Sequence, residues 1–523
     1  MSKKLVVIVA AILFVIVMTG VFIAIAVNRE TGDDEGDEFL PTANQVNVQD
    51  LKDTKLTIYF EAQANKALTE VLEAVNKKLK DELKTELAFE FVWDYPEAYL
   101  NSVRQAIASG SPCDAFYYSS YFPIAIQALA TEGLVKDITD TFPQYAPDYY
   151  GKLSKENIAA ISAKGKMYAI PSRIPSADIK CAIVRQDLMT KYDIPEINSY
   201  QDYELFLETV KSKEPDMIPM NYWDTTLGLF SNMNSYATLD YELGLVYKWD
   251  NPSIKLEAWE QTAGFADGLN IIKSWYDKGY LLKNIGIAQI DENMIKGGKW
   301  ASFIGNWGDE FEYNAILVAN GIKDRKFKAY KLHDGISARN SPLESSLLVN
   351  AKSTQADRVL MFVNWLQSEQ ENYDLLMYGI KGTHYIEEKD YISPPADTSM
   401  SDSFFQWGWK APFRNIDYER TNFTGLKEEV KRYSELINEK TKYPPHLGFY
   451  PDYAPVTDLI NVRRIGFAEL DKRVSEWIIL FSNCNTNWMS SRLTISGCCW
   501  SSAGVLCLSN IIVPLSKFPG GNI

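Results

Sequence analysis

Tryptophan and tyrosine side chains stand beside carboxylate and amide side chains at four places in the sequence. Sugars present weakly polar C–H faces and many hydroxyls, so sites that bind them pair flat aromatic rings with polar side chains. The aromatic content is 13%, with 13 Trp and 30 Tyr, so rings are available for such a site. Each single ring could instead pack in a core. The four places are Trp93-Asp94-Tyr95, Asn221-Tyr222-Trp223-Asp224, Asn306-Trp307-Gly308-Asp309 and Trp407-Gly408-Trp409.

The carboxylates beside these rings raise the alternative of catalysis on a sugar bond. Hydrolysis of a glycosidic bond needs two carboxyl groups roughly 5–9.5 Å apart. Asp94 with Glu61, or Asp309 with Glu310, could supply such a pair, but no motif requires either pairing. The chain has no G-x-S-x-G, P-loop, HExxH or paired CxxC motif. We therefore expect a binding protein with no catalytic residues, and keep a membrane-anchored, glycoside-hydrolase-like enzyme as an alternative.

Residue types that hold metals are sparse and scattered. The three histidines, His333, His384 and His446, lack ligand spacing, so we expect no metal site and no cofactor. Cys113 and Cys181 stand alone in the main body, and we expect buried small hydrophobic side chains there and not a disulfide. The other four cysteines lie after residue 480.

Strands and helices alternate along the chain, and this alternation decides where the polar side chains would meet. It predicts an α/β fold with parallel strands, in which ligands bind beyond the carboxyl ends of the strands. Glu61 and residues 93–95 and 119–121 each follow a predicted strand, so we expect them around one rim. No internal repeat of 20–50 residues is present. The predicted strands are 56–60, 87–93, 115–118, 181–185, 300–304 and 345–349, and the predicted helices are 64–84, 95–108, 123–131, 200–213, 264–278 and 354–368.

The first 27 residues predict a membrane segment. Lys3 and Lys4 precede an apolar run over residues 5–27, long enough to span about 30 Å of hydrocarbon as a helix. An uncleaved anchor is the favoured interpretation, and cleavage after Ala24-Ile25-Ala26 as a signal peptide is the alternative. In both, the rest of the chain is exported. Residues 28–53 begin with an acidic, glycine-containing stretch and are predicted to be a flexible linker.

The charge of the chain limits its possible partners, and its length limits the number of domains. The formal net charge is -15 over 523 residues, and an acidic surface repels phosphate backbones, so no nucleic acid partner is expected. The length predicts two or three domains.

The end of the chain changes in composition. After Glu476 no acidic residue occurs, and only Arg492 and Lys517 carry charge. Residues 477–523 mix Cys, Ser, Asn and Trp without helical or strand period. Our hypothesis is that this atypical tail is a frameshift or insertion product, with a second membrane anchor as a weaker alternative because no window approaches about 18 uninterrupted apolar residues.

Seven segments together resemble the extracellular solute-binding proteins of family 1, closest to a lipoprotein-type, Gram-positive group with an extra C-terminal module. The resemblance covers about residues 54 to 470. The sequence departs from the lipoproteins because no cysteine precedes Cys113, so the N-terminal helix itself would anchor the chain. The tail after Glu476 is the other departure. The segments are 108–111 (ASGS), 116–120 (FYYSS), 129–134 (LATEGL), 165–171 (GKMYAIP), 299–308 (KWASFIGNWG), 349–353 (VNAKS) and 378–385 (YGIKGTHY).

The resemblance implies a two-lobed periplasmic-binding-protein-like fold of type II, each lobe a mixed, mostly parallel sheet flanked by helices, with a hinge between lobes. It implies the extracytoplasmic solute-binding component of an ABC importer, a monomer that closes on a sugar or oligosaccharide and meets separate permease subunits. A sensory ectodomain is a further alternative. The cell location would be the outer face of the membrane, or the medium if the N-terminus is cleaved.

The resemblance also raises particular side chains to ligand-binding candidates. Arg173 lies at the expected hinge, where it could bind a ligand or form an ion pair between lobes. The serines and the tyrosine after the third strand could instead form turns. The candidate ligand-binding residues are Glu61, Trp93, Asp94, Ser119, Ser120, Tyr121, Arg173, Trp223, Asp224, Trp307, Asp309 and Trp407.

The implied domain boundaries follow the points where the chain would pass between lobes. The first lobe would comprise 54–172 and 336–378. The second lobe would begin with 173–335, and 379–476 would be its return segment together with the C-terminal module.

Overall fold

The computed structural model describes residues 48–481, apart from residues 123, 223–225, 250–253, 282–291, 388–391, 397, 399–402, 405–407, 421–426 and 449–455. The predicted N-terminal anchor and the tail from residue 482 onward lie outside the described residues. Among the helices that are described, none combines the length and the apolar character needed to cross a membrane.

The described residues form strands and helices in alternation. The strands are β1 (Thr54–Phe60), β2 (Thr85–Phe91), β3 (Ala115–Tyr118), β4 (Ser162–Ala163), β5 (Lys166–Met167), β6 (Ile170–Pro171), β7 (Lys180–Arg185), β8 (Asn221–Tyr222), β9 (Tyr236–Asp240), β10 (Leu245–Lys248), β11 (Glu257–Ala258), β12 (Ser302–Asn306), β13 (Phe327–Tyr330), β14 (Ser337–Ala338), β15 (Ser346–Val349), β16 (Ile386–Glu387), β17 (Ile392–Ser393) and β18 (Thr441–Lys442). The helices are α1 (Leu68–Leu83), α2 (Pro96–Ser109), α3 (Ile126–Thr131), α4 (Thr141–Tyr145), α5 (Pro147–Tyr150), α6 (Lys155–Ile161), α7 (Gln186–Lys191), α8 (Tyr200–Lys213), α9 (Thr226–Met233), α10 (Ala263–Asp277), α11 (Glu292–Gly297), α12 (Asp309–Ala319), α13 (Ala356–Ser368), α14 (Gln370–Met377), α15 (Lys427–Lys440) and α16 (Thr457–Phe481).

The first sheet has the strand order β2-β1-β3-β15-β6. β1 pairs with β2 and β3 in parallel, whereas β15 is antiparallel to β3 and β6. Alternate residues of β1 and residues three or four apart on α1 are buried, as their periods predict. They belong to the first core, a cluster that also includes side chains of α2, α13 and α14. The buried positions are Leu56, Ile58 and Phe60 on β1 and Leu68, Val71, Val75 and Leu79 on α1.

The second sheet has the order β13-β7-β12-β8 and is covered on both faces. Successive β7 side chains point to opposite faces, because the strand period is two. Ala182 and Val184 join the second core, which includes Trp259 and Trp275. Cys181 and Ile183 join the third core, on the other face. Burial on both faces explains the continuous apolar run in this strand.

Two sheets with separate cores make the fold two-lobed, as predicted, and both sheets are mixed. Two of the four pairings in the first sheet are parallel, and one of the three in the second, so antiparallel pairs are more frequent than expected. Two described segments connect the sheets: the first connecting segment comprises residues 172–179, and the second connecting segment comprises residues 339–345.

The part of the chain after α14 adds to both lobes. The sequence placed residues 379–476 with the second lobe and a C-terminal module. In the structure, Tyr385, Ile392 and residues 408–413 contribute to the first core. α15 contributes Ile437 to the third core, and α16 contributes Phe467 to the second. α16 runs to Phe481, five residues beyond the predicted compositional break.

Both described cysteines are free thiols. Cys113 lies in the first core and Cys181 in the third, each buried, which confirms their prediction as small hydrophobic side chains.

Lys410 is a charged residue buried in the first lobe with its side chain 1% exposed. Its Nζ donates to the Met377 carbonyl oxygen over 2.8 Å and to that of Phe404, and it lies 3.6 Å from the centre of the Phe404 ring. Burial holds the pKa of this amine well below its usual value of 10.5. In the unfolded chain the amine regains its ordinary pKa, so at intermediate pH the unfolded state binds this proton more strongly.

A pH series on Lys410→Met tests this contribution. Because the pKa of Lys410 is lower in the folded state, the free energy of unfolding rises with pH between that lowered pKa and 10.5. Below the lowered pKa, the amine is protonated in both states and its burial destabilises the fold. The free energy of unfolding of the wild type minus that of the variant should therefore increase from about pH 7 to about pH 10. Urea titrations at three pH values measure this difference, and a constant difference would contradict it.

Candidate functional site

The predicted rim residues lie together at one edge of the first sheet. β1 is parallel to both β2 and β3, so the carboxyl ends of the three strands face the same way. Glu61 directly follows β1, and residues 93–95 and 119–121 follow β2 and β3. The pairing continues past β2, where the Val92 N–H donates to the Phe60 oxygen over 2.9 Å. The structure thus confirms the common location that the alternation predicted.

Three aromatic side chains at this edge are largely in solvent. Trp93 is 68% exposed, Tyr95 84% and Tyr121 71%. Among the described residues, Tyr241 is the next most exposed aromatic side chain, at 44%. Apolar surface of this size left in contact with water is typical of a place that another molecule covers. Asp94 between the first two rings is also exposed, and its Oδ1 accepts from the Tyr95 N–H over 2.8 Å.

The polar side chains of the same edge differ in accessibility. Glu61 is partly buried, and this burial raises its pKa. Ser119 is buried, and its Oγ accepts from the Tyr121 N–H over 3.2 Å, which is the turn-forming alternative. Ser120 is exposed, and its N–H donates to the Leu343 oxygen of the second connecting segment over 2.8 Å.

Glu344 joins this edge to both connecting segments. Its Oε1 accepts from the Tyr121 hydroxyl over 3.1 Å. Its Oε2 accepts from Asn340 Nδ2 over 3.0 Å and from the Ser176 hydroxyl. The Asn340 N–H in turn donates to the Ser176 oxygen over 3.0 Å. One carboxylate therefore holds the first and second connecting segments together beside the exposed Tyr121 ring.

Arg173 is held at the base of the first connecting segment. Its guanidinium donates to Asn415 Oδ1 over 2.9 Å and to Asp417 Oδ2 over 2.7 Å. Its N–H donates to the Arg414 oxygen over 2.9 Å. Residues 408–413, just before these partners, pack on the first core. The ion pair therefore joins the connecting segment to the first lobe, whereas the sequence alternative placed it between lobes.

The second sheet presents its own polar edge beside the first connecting segment. β7 and β12 are antiparallel with Lys180 opposite Asn306, so the start of β7 lies at the carboxyl end of β12. Lys180 Nζ is 3.4 Å from Asp178 Oδ1. Asp309 Oδ2 accepts from the Asn306 N–H over 2.9 Å, yet burial raises the pKa of this carboxyl, and the charge of Asp178 adds to the rise.

Tyr121 connects the two polar edges. Although the residue as a whole is largely exposed, partial desolvation of its hydroxyl raises the pKa of that group, and the negative charges of Glu344 and Asp178 raise it further. The hydroxyl donates to Glu344, and the other oxygen of that carboxylate accepts from Ser176, two residues before Asp178 in the first connecting segment. The candidate site is the surface that runs from Trp93 through Tyr121 to Asp178 and Asp309.

Trp307 lies in the third core and is 6% exposed. The Arg432 guanidinium of α15 lies 5.4 Å from the ring centre. The indole Nε1 is buried without an acceptor among the described residues. Arg432 thus lies against the ring of a residue that the sequence named as a candidate ligand contact, and the role of Trp307 as a ligand contact stays a prediction.

Glu310 cannot act with Asp309 across a ligand in this structure. Glu310 is 1% exposed, accepts from the Ala329 N–H over 2.7 Å and forms an ion pair with Arg432. It points into the lobe, whereas Asp309 accepts from the backbone at the sheet edge. The arrangement disfavours this carboxylate pair as an acid and base.

Comparison with curated proteins finds distant relatives that are named for binding. A carbohydrate ABC transporter substrate-binding protein of Streptococcus pneumoniae serotype 4 is 22% identical over 387 residues, which are 73% of this chain and 75% of the relative. The polygalacturonan/rhamnogalacturonan-binding protein YtcQ of Bacillus subtilis is 22% identical over 278 residues, 49% of this chain and 54% of the relative. For this second relative the chain thus spans about half of its length. No family model matches the sequence.

Solved structures share the fold over most of the chain. The N-glycan transport solute-binding protein NgtS of Streptococcus pneumoniae has a TM-score of 0.65 at 18% identity, over 81% of this chain and 90% of that one. Its complex with Man1GlcNAc has a TM-score of 0.57 at 18% identity, over 81% and 91%. A solute-binding protein of Bifidobacterium longum infantis, described as binding HMO, has a TM-score of 0.61 at 13% identity, over 82% and 92%.

The chain resembles extracellular solute-binding proteins in sequence and in fold. These relatives and structural neighbours are all named as binding proteins, in agreement with the expectation that the chain is not an enzyme. The resemblance drawn from the seven sequence segments is confirmed.

The remaining candidate ligand-binding residues fall outside the described part of the chain. Trp223 and Asp224 after β8, and Trp407, have no described position. Their role as ligand contacts stays a prediction. Within the described ranges, no group of three or more His, Cys, Asp and Glu side chains is arranged to hold a metal ion.

Sequence reasoning missed three polar residues of this site. Glu344, Asp178 and Lys180 stand in the two connecting segments or directly after one of them, far from the aromatic–carboxylate pairs that guided the prediction. A usable signal was their position: Lys180 comes directly before the predicted strand 181–185, and Glu344 comes directly before the predicted strand 345–349. Residues that flank the points where the chain changes lobes are near the cleft in any two-lobed fold.

Proposed function

We propose that this chain is the extracytoplasmic solute-binding component of an ABC importer and binds a carbohydrate, of oligosaccharide size, between its lobes. The observation that carries the proposal is the row of exposed rings, Trp93, Tyr95 and Tyr121, at the carboxyl edge of the first sheet beside the connecting segments. Flat rings with neighbouring carboxylates match the C–H faces and hydroxyls of sugars. The glycan-binding names of its relatives and structural neighbours support the same ligand class.

Capture proceeds by closure of the two lobes around the ligand. A ligand that contacts both lobes favours the closed form. A ligand that contacts a single lobe binds the open and closed forms equally well and does not change the equilibrium between them. The lobes pivot near Glu344, and support for this comes from the hydrogen bonds that its carboxylate accepts from Tyr121, Ser176 and Asn340, which link both connecting segments. The permease subunits, which are separate chains, recognise the closed form. The N-terminal apolar run keeps the domain at the outer face of the membrane, or directs its export if it is cleaved.

A thermal-shift screen of the purified full-length chain against oligosaccharides of mannose, glucose, galactose and N-acetylglucosamine tests the proposal. Binding to the native state raises the unfolding midpoint by mass action. Chromatography of the same mixtures detects cleavage. A midpoint rise with intact glycan supports the proposal. Glycan cleavage would favour the hydrolase alternative, and no binding by any glycan would refute it.

Trp93→Ala should weaken binding of a glycan found in that screen by about 1–3 kcal/mol, on the scale of aromatic stacking measured for bases. This is roughly a five- to 150-fold rise in Kd, measured by titration calorimetry. Stability should stay within about 0.5 kcal/mol of the wild type because the ring is exposed. Tyr241→Ala removes an exposed ring from the turn between β9 and β10 and is the matched control. Equal affinities of both variants would exclude Trp93 from the site.

A further inference from the structure

We infer that the site selects uncharged glycans and discriminates against glycans that carry carboxylates. This inference rests on the proposed function and specifies its ligand class. It follows from the signs of the charges that line the surface from Trp93 to Asp309.

Carboxylates line the candidate site on both lobes. Glu61 and Asp94 lie at the edge of the first sheet, Glu344 in the second connecting segment, and Asp178 and Asp309 at the edge of the second sheet. With the residues that the structure describes, Glu61, Asp94 and Glu344 form no ion pair. Glu344 accepts from the Tyr121 hydroxyl and from Ser176, two residues before Asp178, so Glu344 and Asp178 lie in one region of this surface.

Three described cations of this region each already lie against a carboxylate. Arg173 lies 2.7 Å from Asp417, and Lys180 lies 3.4 Å from Asp178. Arg432 forms an ion pair with the buried Glu310. Arginine that recognises a ligand carboxylate usually does so with two parallel hydrogen bonds from a free guanidinium edge. A uronate would have to displace one of these partners.

The internal segments outside the described residues contain more acidic than basic residues. Their sequences contain Lys283 and Lys389 as basic residues and eight Asp or Glu residues. These segments are thus acidic in composition, as is the whole chain with its formal net charge of -15.

Neutral sugars complement such a surface because their hydroxyls donate hydrogen bonds. A carboxylate only accepts hydrogen bonds, so it pairs with a hydroxyl donor and repels another carboxylate. Like charges brought together at an interface are strongly unfavourable, more so where protein excludes solvent. One relative is named for binding polygalacturonan, a polymer of uronates, so the inference separates this chain from that relative.

Matched pairs of glycans test the inference with the purified full-length chain. Each pair comprises a tetrasaccharide of mannose, glucose, galactose or N-acetylglucosamine and the same glycan with its C6 hydroxyls oxidised to carboxylates. A further pair is oligogalacturonate and its methyl ester. Titration calorimetry at low salt should show the uncharged member binding at least about tenfold more tightly, with the ratio falling as salt screens the charges.

The outcomes separate this inference from the proposed function. A carboxylate glycan that binds as tightly as its neutral partner, or more tightly, would overturn the charge selectivity and leave the binding function standing. Absence of binding by every member of the panel would overturn both. Preference for the neutral member in each pair that binds supports both.

Glu344→Gln tests whether a named carboxylate sets the selectivity. Glutamine keeps an oxygen acceptor for Tyr121 and Asn340 but removes the charge. The ratio between neutral and carboxylate ligands should fall about fivefold or more, given the strength of like-charge repulsion. Glu132→Gln removes a carboxylate that pairs with Arg104 at the surface, and is the control with an unchanged ratio. An unchanged ratio in Glu344→Gln would remove Glu344 as a determinant.

Discussion

Replacement of Arg463 by alanine is expected to lower the free energy of unfolding by about 3–5 kcal/mol. The side chain of Arg463 is 6% exposed and that of its partner Glu260 is 8% exposed, so the ion pair is buried. Removal of one partner leaves the other as an uncompensated buried charge, which is why the loss is large. Urea unfolding of wild type and variant measures it.

The geometry around Arg463 supports this expectation. Its Nε donates to the Leu243 oxygen over 2.8 Å, and one terminal nitrogen donates to Glu260 Oε2 over 2.8 Å. One helical turn later, Phe467 covers Gly244, where a Cβ would lie 2.4 Å from the Phe467 ring. Gly244 has a φ of +58°, so a side chain there would be unfavourable on both counts. Arg463 and Phe467 thus attach α16 to the turn between β9 and β10.

Arg464→Ala is the matched control for Arg463→Ala. Arg464 is the next residue of the same helix and pairs with Glu242 over 2.7 Å, but their side chains are 44% and 63% exposed. Solvent screens such a pair, so its loss should cost no more than about 1 kcal/mol. Equal losses of unfolding free energy in both variants would show that the buried Arg463–Glu260 pair stabilises the fold no more than the exposed Arg464–Glu242 pair.

Local periodicity was enough to predict β1, β2, β3 and β15 of the first sheet and β7 and β12 of the second, but not β8 and β13. The third strand, Ala115–Tyr118, and helix α8, Tyr200–Lys213, have the predicted limits, and most others differ by one to three residues. The hydrophobic period of an element and the residues that cap its ends lie within a short stretch of sequence. They can therefore be recognised in a single sequence without knowledge of the tertiary fold. β15 pairs with β3 in antiparallel direction after the chain has returned from the second lobe. No local sequence pattern encodes the direction of that pairing.

Exposure of individual rings could not be predicted from local sequence. Trp93 and Trp307 both follow a strand closely and both have an aspartate within two residues. Trp93 is 68% exposed, whereas Trp307 is 6% exposed. The difference arises from α15, more than 100 residues after Trp307, which contributes Arg432 over the ring and Ile437 to the same core. Tertiary packing therefore decides which tryptophan can meet a ligand.

This difference leads to the second large effect, which is expected for Trp307→Ala. Loss of a buried tryptophan should lower the free energy of unfolding by about 3–5 kcal/mol, because a cavity forms among Phe303, Tyr313 and their neighbours in the third core. If Trp307 were instead a stacking surface for the glycan, the variant would keep its stability and lose affinity. Urea unfolding and ligand titration of the same variant distinguish the two roles.

Trp307→Phe provides the conservative comparison. Phenylalanine keeps much of the buried ring and removes the indole N–H, which is buried without an acceptor among the described residues. Removal of an unsatisfied donor offsets part of the lost packing, so the expected loss is smaller than for alanine. Trp93→Ala should show the opposite combination, with weakened glycan binding and unchanged stability. A Trp307→Ala protein as stable as wild type would mean that α15 does not cover this ring in solution, and the site would then extend across Trp307 as the sequence proposed.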